Sequence, residues 1–439
     1  MSLAAKLPYS HPYANGFGYG GTNVPTDTDG LDYLSRMATA DGAGLETGVA
    51  GAIDRFIKAC KTSDIWDSIR SSCILAGARS LNGALVPLRE YGPELWDAPT
   101  PTITNAFGSN GTWDANTQTA TSSTTTISNT FPRFKFPVGI VAGKDYRLTA
   151  TLVVTDADAL TYYRLGGDGV VAPPSAVNGV ITIDETRTAS TGAAVFELDF
   201  DSTIGPASVT IQSLSIREVI AAPTNVADGF VEGDYSRTAG LKGDGTSYID
   251  SGRAGDDDPQ DDNHNAVYIS ATPLPSNVHL GSGGASSGAN TLGGYDSSGG
   301  YALRSRSSSF ASQSLGAAVT NFAGSSRDAS ASFTSRVNGV SNSEAVASQT
   351  PSSDNTFVFA RNNGSGTPQG LSQATLAFYS IGTSLGTDPA VGLADLDTAV
   401  TNLMADITFF FNTGLNPADY DTETVRYVNA GYAAGGTLE

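Results

Sequence analysis

Residues 27–88 constrain this chain more than any other stretch. They carry long helical periodicity inside a sequence otherwise rich in Gly, Ser and Thr, with 50 Gly among 439 residues. Asp27 reads as an N-cap, and Leu31, Leu34 and Met37 recur at helical spacing with Tyr33 beside them. Ala40-Asp-Gly42 reads as the stop. A second helix is expected from Leu45 to Lys61, with Val49, Ile53, Phe56, Ile57 and Cys60 on one stripe. Thr62-Ser63-Asp64 would end it and cap a third helix carrying Ile65, Trp66, Ile69, Cys73 and Leu75. A shorter apolar tail then runs from Gly77 to Leu88, with Pro87 as its terminator. Three short helices bury too little surface to stand alone. They are expected to pack on a neighbouring domain or subunit.

The rest of the chain reads as strand. From about Glu90 the composition changes, and Pro93, Pro99 and Pro101 punctuate a β region running to Val219. Phe131, Phe134 and Phe136, then Tyr146 to Leu152, Thr161 to Leu165, Val180 to Ile183, Val195 to Phe200 and Val209 to Ile216 give strands at sandwich spacing. A second β region runs from Ala221 to about Ile381. It holds Asn338-Gly339 between Arg336-Val337 and Val340-Ser341, a strong two-residue hairpin signal. Helical spacing returns from Leu393 to Ile407, through Leu396, Val400, Leu403 and Met404. After Pro417 a last helix is expected from Asp421 to Ala434. Its opening, Asp421-Thr-Glu-Thr-Val425-Arg-Tyr427-Val428, echoes Asp27-Thr-Asp-Gly-Leu31-Asp-Tyr33-Leu34, which favours duplication of one docking helix. The fold class expected is mainly β: two β-sandwich (jelly-roll) domains, a small N-terminal helical module and C-terminal helices.

Charge narrows the function classes. The formal net charge is -20, and charged residues make up only 15% of the chain. A nucleic-acid binder needs a basic footprint, and no run of Lys or Arg supplies one for phosphates or an anionic membrane. No apolar run approaches the ~20 residues that span a bilayer. The opening residues lack the apolar core of a secretion signal. The 2 cysteines, Cys60 and Cys73, read as buried free thiols in preference to one bridge between helices. Residues 1–25 fit neither strand nor helix periodicity. Their Tyr9, Tyr13, Phe17 and Tyr19 suit an arm that orders on a partner, or equally a frayed terminus.

Two groups of residues then carry a resemblance. The first is Asp32-Tyr33-Leu34, Ala40-Asp-Gly42, Ile65-Trp66-Asp67-Ser-Ile69 and Cys73-Ile-Leu-Ala-Gly77-Ala-Arg79. The second is Ala222-Pro-Thr-Asn225, Gly243-Asp-Gly245, Arg336-Val-Asn-Gly339 and Phe378-Tyr-Ser-Ile-Gly382. With these, residues 27–88 and 221–403 resemble a family of tailed-phage virion proteins, the later part being similar to laminin-G-like, concanavalin-type jelly rolls. Gly111-Thr-Trp113-Asp114 and Lys144-Asp-Tyr146-Arg-Leu148 make the intervening region resemble a carbohydrate-binding-module sandwich. The resemblance implies a structural protein of the virion, made in the host cytoplasm. It points to a tail fibre or similar appendage, with a capsid decoration or head-fibre protein as the alternative. Other virion proteins and host-surface glycans are its implied partners, a homotrimer its implied assembly, and no nucleic acid or membrane is expected. The expected domains are an arm at 1–25, a helical docking module at 26–92, an inserted sandwich at 93–220, a laminin-G-like jelly roll at 221–411 ending in a helix, and a C-terminal helix at 412–439.

Chemistry is sparse. Trp113, Tyr162 and Tyr163 are candidates for stacking on sugar rings in the inserted domain, against the ordinary reading of core packing. Glu197, Asp199 and Asp201 share one face of a strand whose other face is Phe196, Leu198 and Phe200. They read as a solvated outer face, with Ca²⁺ or an acid–base pair as the alternatives. The loop Asp256-Asp-Asp258-Pro-Gln-Asp261-Asp262 reads as solvated too, with Ca²⁺ on Asp256, Asp258 and Asp261 as the alternative. Gly284-Ala-Ser286-Ser-Gly288 matches a nucleophile elbow by letters, but no helix can follow it. His264 reads as a strand-start residue, and His11 and His279 have no partners in sequence. No cofactor and no enzymatic activity are expected.

Overall fold

The computed structural model describes residues 24–104, 110–123, 132–156, 160–167, 169, 171–177, 179–190, 195–200, 207–226, 229–272, 277–284, 288–295, 300–313 and 321–414. The aromatic arm, the expected last helix with its echo of the first, His11, Asp201 and the centre of the elbow-like motif lie outside these residues. The chain is mainly β and divides into two compact units, one of residues 1–89 with 221–439 and one of Glu90–Ile220.

In the first unit the described residues form sheets of eight and nine strands. The eight-stranded sheet runs Tyr235–Ser236, Gly240–Lys242, Thr375–Gly382, Asn263–Ala271, Asn321–Arg327, Phe333–Val337 and Val340–Glu344, with Ile69–Ile74 also paired to Thr375–Gly382. Its inner face gives Val267, Ile269, Leu376 and Tyr379 to a core shared with Ile249, Leu280, Leu292, Leu303 and Val358 of the other sheet. Its outer face gives Ala266, Phe322 and Phe378 to a second core. Helices supply the rest of that core. Thr28–Asp41 contributes Tyr33 and Met37, Thr47–Thr62 contributes Val49, Ile53, Phe56 and Ile57, and Pro389–Thr413 contributes Leu393, Leu396, Val400, Leu403 and Ile407. Phe56 meets Phe378 edge-on at 5.7 Å between ring centroids. The apolar stripes of 27–62 are therefore spent on the sheet, each large side chain stabilising by about 2 kcal/mol when withdrawn from water.

The helix ends follow local chemistry. Asp27 accepts from the backbone N–H groups of Asp29 (3.0 Å) and Gly30 (3.2 Å), and Gly42 closes the helix in the left-handed region at φ 72°. Pro389 sits in the first turn of the long helix, whose N-cap Asp388 accepts from Ala390 N at 2.9 Å. The Asn338-Gly339 hairpin forms as expected: Val337 pairs with Val340, and both turn residues have positive φ (47° and 83°).

Two expectations need correction. Leu31 is exposed, and the buried side of its helix is Gly30, Tyr33 and Met37. The expected third helix is a single 3-10 turn, Trp66–Ser68, followed by the strand Ile69–Ile74. This strand is buried on both sides. Ile69 and Ile74 face the helices, whereas Cys73 faces the inter-sheet core. A strand with two apolar faces loses the alternation that would tell it from a buried helix. The two thiols are free and lie in different cores, Cys60 under the helices and Cys73 between the sheets. Burial pushes both up, Cys73 to about 12.

The second unit is a sandwich of a four-stranded and a six-stranded sheet. Asp145–Val154 alternates strictly, burying Tyr146, Leu148, Ala150, Leu152 and Val154. Against them pack Phe134, Phe136, Phe196, Leu198 and Phe200 of the smaller sheet. The ends of the unit are tied together: Ile220 N donates to Glu90 O at 2.8 Å. Arg89 and Ala221 each lie one peptide, about 3.8 Å, from that pair. Replacing residues 90–220 by a three-residue Gly/Ser linker should therefore leave the first unit folded. Its calorimetric transition should move by no more than a few degrees. A chain that no longer unfolds cooperatively would show that the first unit needs the insert.

Candidate functional site

The smaller sheet of the second unit has the order Thr102–Thr104, Arg133–Pro137, Val195–Phe200, Leu160–Leu165. Alternation along Val195–Phe200 sends Phe196, Leu198 and Phe200 inward, so Glu197 and Asp199 point outward. Antiparallel register then sets their neighbours. Glu197 lies between Lys135 and Arg164, and Asp199 between Arg133 and Tyr162. Opposite charges facing each other across strands stabilise the pairing.

The outward carboxylates were expected to be solvated. They are not: Glu197 is 5% and Asp199 3% exposed. Cations from both flanking strands lie over them. Arg164 Nη2 donates to Asp199 Oδ2 at 2.9 Å, and Arg164 Nε stands 3.4 Å from Glu197 Oε2. Arg133 Nε is 3.3 Å from Asp199 Oδ2, and Lys135 Nζ is 3.4 Å from Glu197 Oε1. Among the described residues three cations thus face two carboxylates. Glu197 Oε2 and Asp199 Oδ1 are buried without a hydrogen-bond donor. A buried acceptor left in that state costs about 1–3 kcal/mol.

The three sugar-stacking candidates part company. Tyr162 stands on this outer face and is 37% exposed. Tyr163, one residue on, faces the core, and its hydroxyl donates to Glu185 Oε1 at 2.8 Å. Burial and then that hydrogen bond push its phenol well up. Trp113 belongs to the six-stranded sheet and packs edge-on against Phe136 at 5.0 Å. Core packing therefore holds two of the three, and Tyr162 remains. Sequence reasoning passed over Arg133, Lys135 and Arg164. Their signal was an alternation, Arg133-Phe-Lys135-Phe and Tyr162-Tyr-Arg164-Leu, matched in phase and opposite in sign to the acidic strand.

The carboxylates of Asp258, Asp261 and Asp262 in the acidic loop are engaged by protein groups. Asp258 is buried, and both of its oxygens accept from Arg253, Oδ2 from Nε at 3.0 Å and Oδ1 from Nη2 at 2.5 Å. Burial works to raise its carboxyl, yet Arg253 with Arg306 holds it below the usual range. Asp261 accepts from Ser348 Oγ, and Asp262 accepts from Ser384 N at 2.6 Å. Of the three residues of the Ca²⁺ alternative, Asp256, Asp258 and Asp261, Asp258 thus has both oxygens on a guanidinium and Asp261 accepts from a hydroxyl. Among the described residues, no group of three His, Cys, Asp or Glu side chains could hold a metal ion. His264 and His279 are buried inside the first unit.

No protein family matches the chain, and no curated protein matches it. Among solved structures it is similar to the CBM22-1 xylan-binding domain from Paenibacillus barcinonensis Xyn10C, at 13% identity, over 30% of this chain and 99% of that one, with a TM-score of 0.23. The CBM22-1-CBM22-2 tandem domain of the same protein is similar at 10% identity, over 67% of this chain and 98% of that one, with a TM-score of 0.24. Likeness of that size says nothing about the ligand, and the sandwich description rests on the sheets themselves. No helix of the described residues is long and apolar enough to cross a membrane.

Proposed function

We propose that this chain is a non-catalytic attachment protein. Its first unit serves as a scaffold, and its second presents a saccharide-binding face on the four-stranded sheet. One observation carries the reading: Tyr162 is exposed beside Arg133, Lys135 and Arg164 on a face floored by buried Glu197 and Asp199. An aromatic ring packs on the apolar face of a pyranose, while charged groups fixed around it take the ring hydroxyls. Every strand of the face belongs to one sheet, so the groups are held by backbone pairing rather than by loops. Each carboxylate is engaged by cations, an arrangement that suits positioning better than proton transfer.

The wider role follows from the resemblance of residues 27–88 and 221–403 to tailed-phage virion proteins. We place the chain on the virion as a tail fibre or similar appendage, a homotrimer docked to other virion proteins and turned toward host-surface glycans. The test is a glycan array probed with the full-length protein and with Tyr162→Ala. Wild type should retain a defined set of glycans, and Tyr162→Ala should weaken them about tenfold, since ring stacking adds about 0.5–1.5 kcal/mol to the area it buries. Equal binding by the variant would remove the face from consideration. Release of shortened saccharides by the purified protein would overturn the non-catalytic reading.

A further inference from the structure

The charges on this face select among saccharides, and the inference drawn from them rests on the glycan-binding reading. Glu197 and Asp199 are covered, so an incoming molecule meets the cations first. The side chain of Arg133 is 41% exposed and that of Lys135 36%. Each touches its carboxylate only at ion-pair range, 3.3 Å and 3.4 Å. Among the described residues no hydrogen bond occupies the terminal nitrogens of Arg133 or the ammonium of Lys135. The carboxylates beneath hold both side chains at ion-pair range and leave them partly exposed. Among the described residues, three cations stand over two carboxylates on this face.

This cluster of cations sits in a molecule whose formal net charge is -20. A long-range field of that sign repels polyanions. Any acidic polymer that binds must be held by a built local site rather than by bulk attraction. Geometry adds a length. Arg133 and Tyr162 flank Asp199 on opposite sides, so two strand spacings, roughly 10 Å, separate their backbones. That span suits a ligand of more than one sugar ring, stacked at one end and charge-bound at the other. A planar guanidinium fork matches a carboxylate in two parallel hydrogen bonds.

We propose that the outer face of the four-stranded sheet binds an acidic, uronate-bearing glycan, whose carboxylate meets Arg133 and Lys135 while a neighbouring ring stacks on Tyr162. The test is affinity gel electrophoresis of the full-length protein through polygalacturonate and through the same polymer with its carboxyl groups reduced to alcohols. Polygalacturonate should retard the protein, and the reduced polymer should do so at least tenfold more weakly. Retardation should fade as NaCl is raised. Arg133→Ala with Lys135→Ala should abolish it. Arg133→Lys, which keeps the charge but not the fork, should weaken it by a smaller factor, with an unchanged near-ultraviolet spectrum showing that the fold persists. Equal retardation by the reduced polymer would overturn the acidic assignment and leave the glycan reading standing. Retardation by neither polymer, together with an empty glycan array, would overturn both.

Discussion

Arg327→Ala is expected to be the most damaging single change in the first unit. Arg327 ends the strand Asn321–Arg327 and is completely buried. Nε and Nη2 donate to Ser305 O at 3.0 Å and 2.7 Å, Nη1 donates to Ala329 O at 2.8 Å and Ser332 O at 2.9 Å, and Nη2 reaches Val346 O at 2.9 Å. One side chain therefore satisfies carbonyls from several separate segments. Burial pulls its guanidinium down to about 10, so it remains charged at neutral pH. Truncation strands these carbonyls away from water, at about 1–3 kcal/mol for each that finds no new donor. A loss of about 4 kcal/mol is a large share of the 5–15 kcal/mol by which domains are stable. In calorimetry the first unit should melt about 10 °C lower. Arg327→Lys should recover only part of the loss, because three donors on a flexible stem cannot replace the fork. A melting point within a degree or two of wild type would show that water replaces the guanidinium.

Acid should destabilise the same unit as pH falls through the ordinary histidine range. His264 is fully buried; Nδ1 donates to Thr383 O at 2.5 Å, which fixes the tautomer, and Nε2 accepts from Ser380 Oγ at 2.7 Å. His279 is buried with Nδ1 2.9 Å from the Tyr301 hydroxyl. Burial lowers both imidazoles from 6.5 to about 4. The unfolded chain therefore binds protons that the folded chain refuses. Stability is fully present above the unfolded value of 6.5, falls as pH drops toward about 4, and levels off below that. Each imidazole accounts for about 3 kcal/mol across the window. The check is proton uptake on unfolding near pH 5, from calorimetry in buffers of different ionisation heat. Wild type should take up about two protons more than His264→Gln with His279→Gln. Equal uptake would mean that the rings are already charged inside the fold.

Local signals were legible in the sequence and non-local ones were not. The Asp27 cap, the Val49–Ile53–Phe56–Ile57 stripe and the Asn338-Gly339 turn depend on neighbours within a few residues, and each formed as read. The strand Ile69–Ile74 was misread because its apolar content comes from being sandwiched between two layers. Nothing inside six residues reveals that situation. The face around Asp199 failed for a related reason. Alternation placed Glu197 and Asp199 together, but Lys135 and Arg164 reach them only through a register fixed by strands far along the chain. The same parity rule told Tyr162 from Tyr163 once the inward side was known.

The pairing of Ile69–Ile74 with Thr375–Gly382 has a consequence for the order of events during synthesis. Cys73 and its partner Tyr379 are 306 residues apart. A ribosome adding about 5–20 residues per second delivers the second strand tens of seconds after the first. Glu90–Ile220 is complete long before that and can fold as a unit while the earlier segment waits. Until the strand Thr375–Gly382 and the helix Pro389–Thr413 emerge, Tyr33, Val49, Phe56 and Ile74 lack much of the core they share. The closing step of assembly is thus a contact of very long loop length, the kind that sets slow folding rates. During that interval the nascent chain holds one finished domain while the apolar side chains of residues 28–74 await their partners.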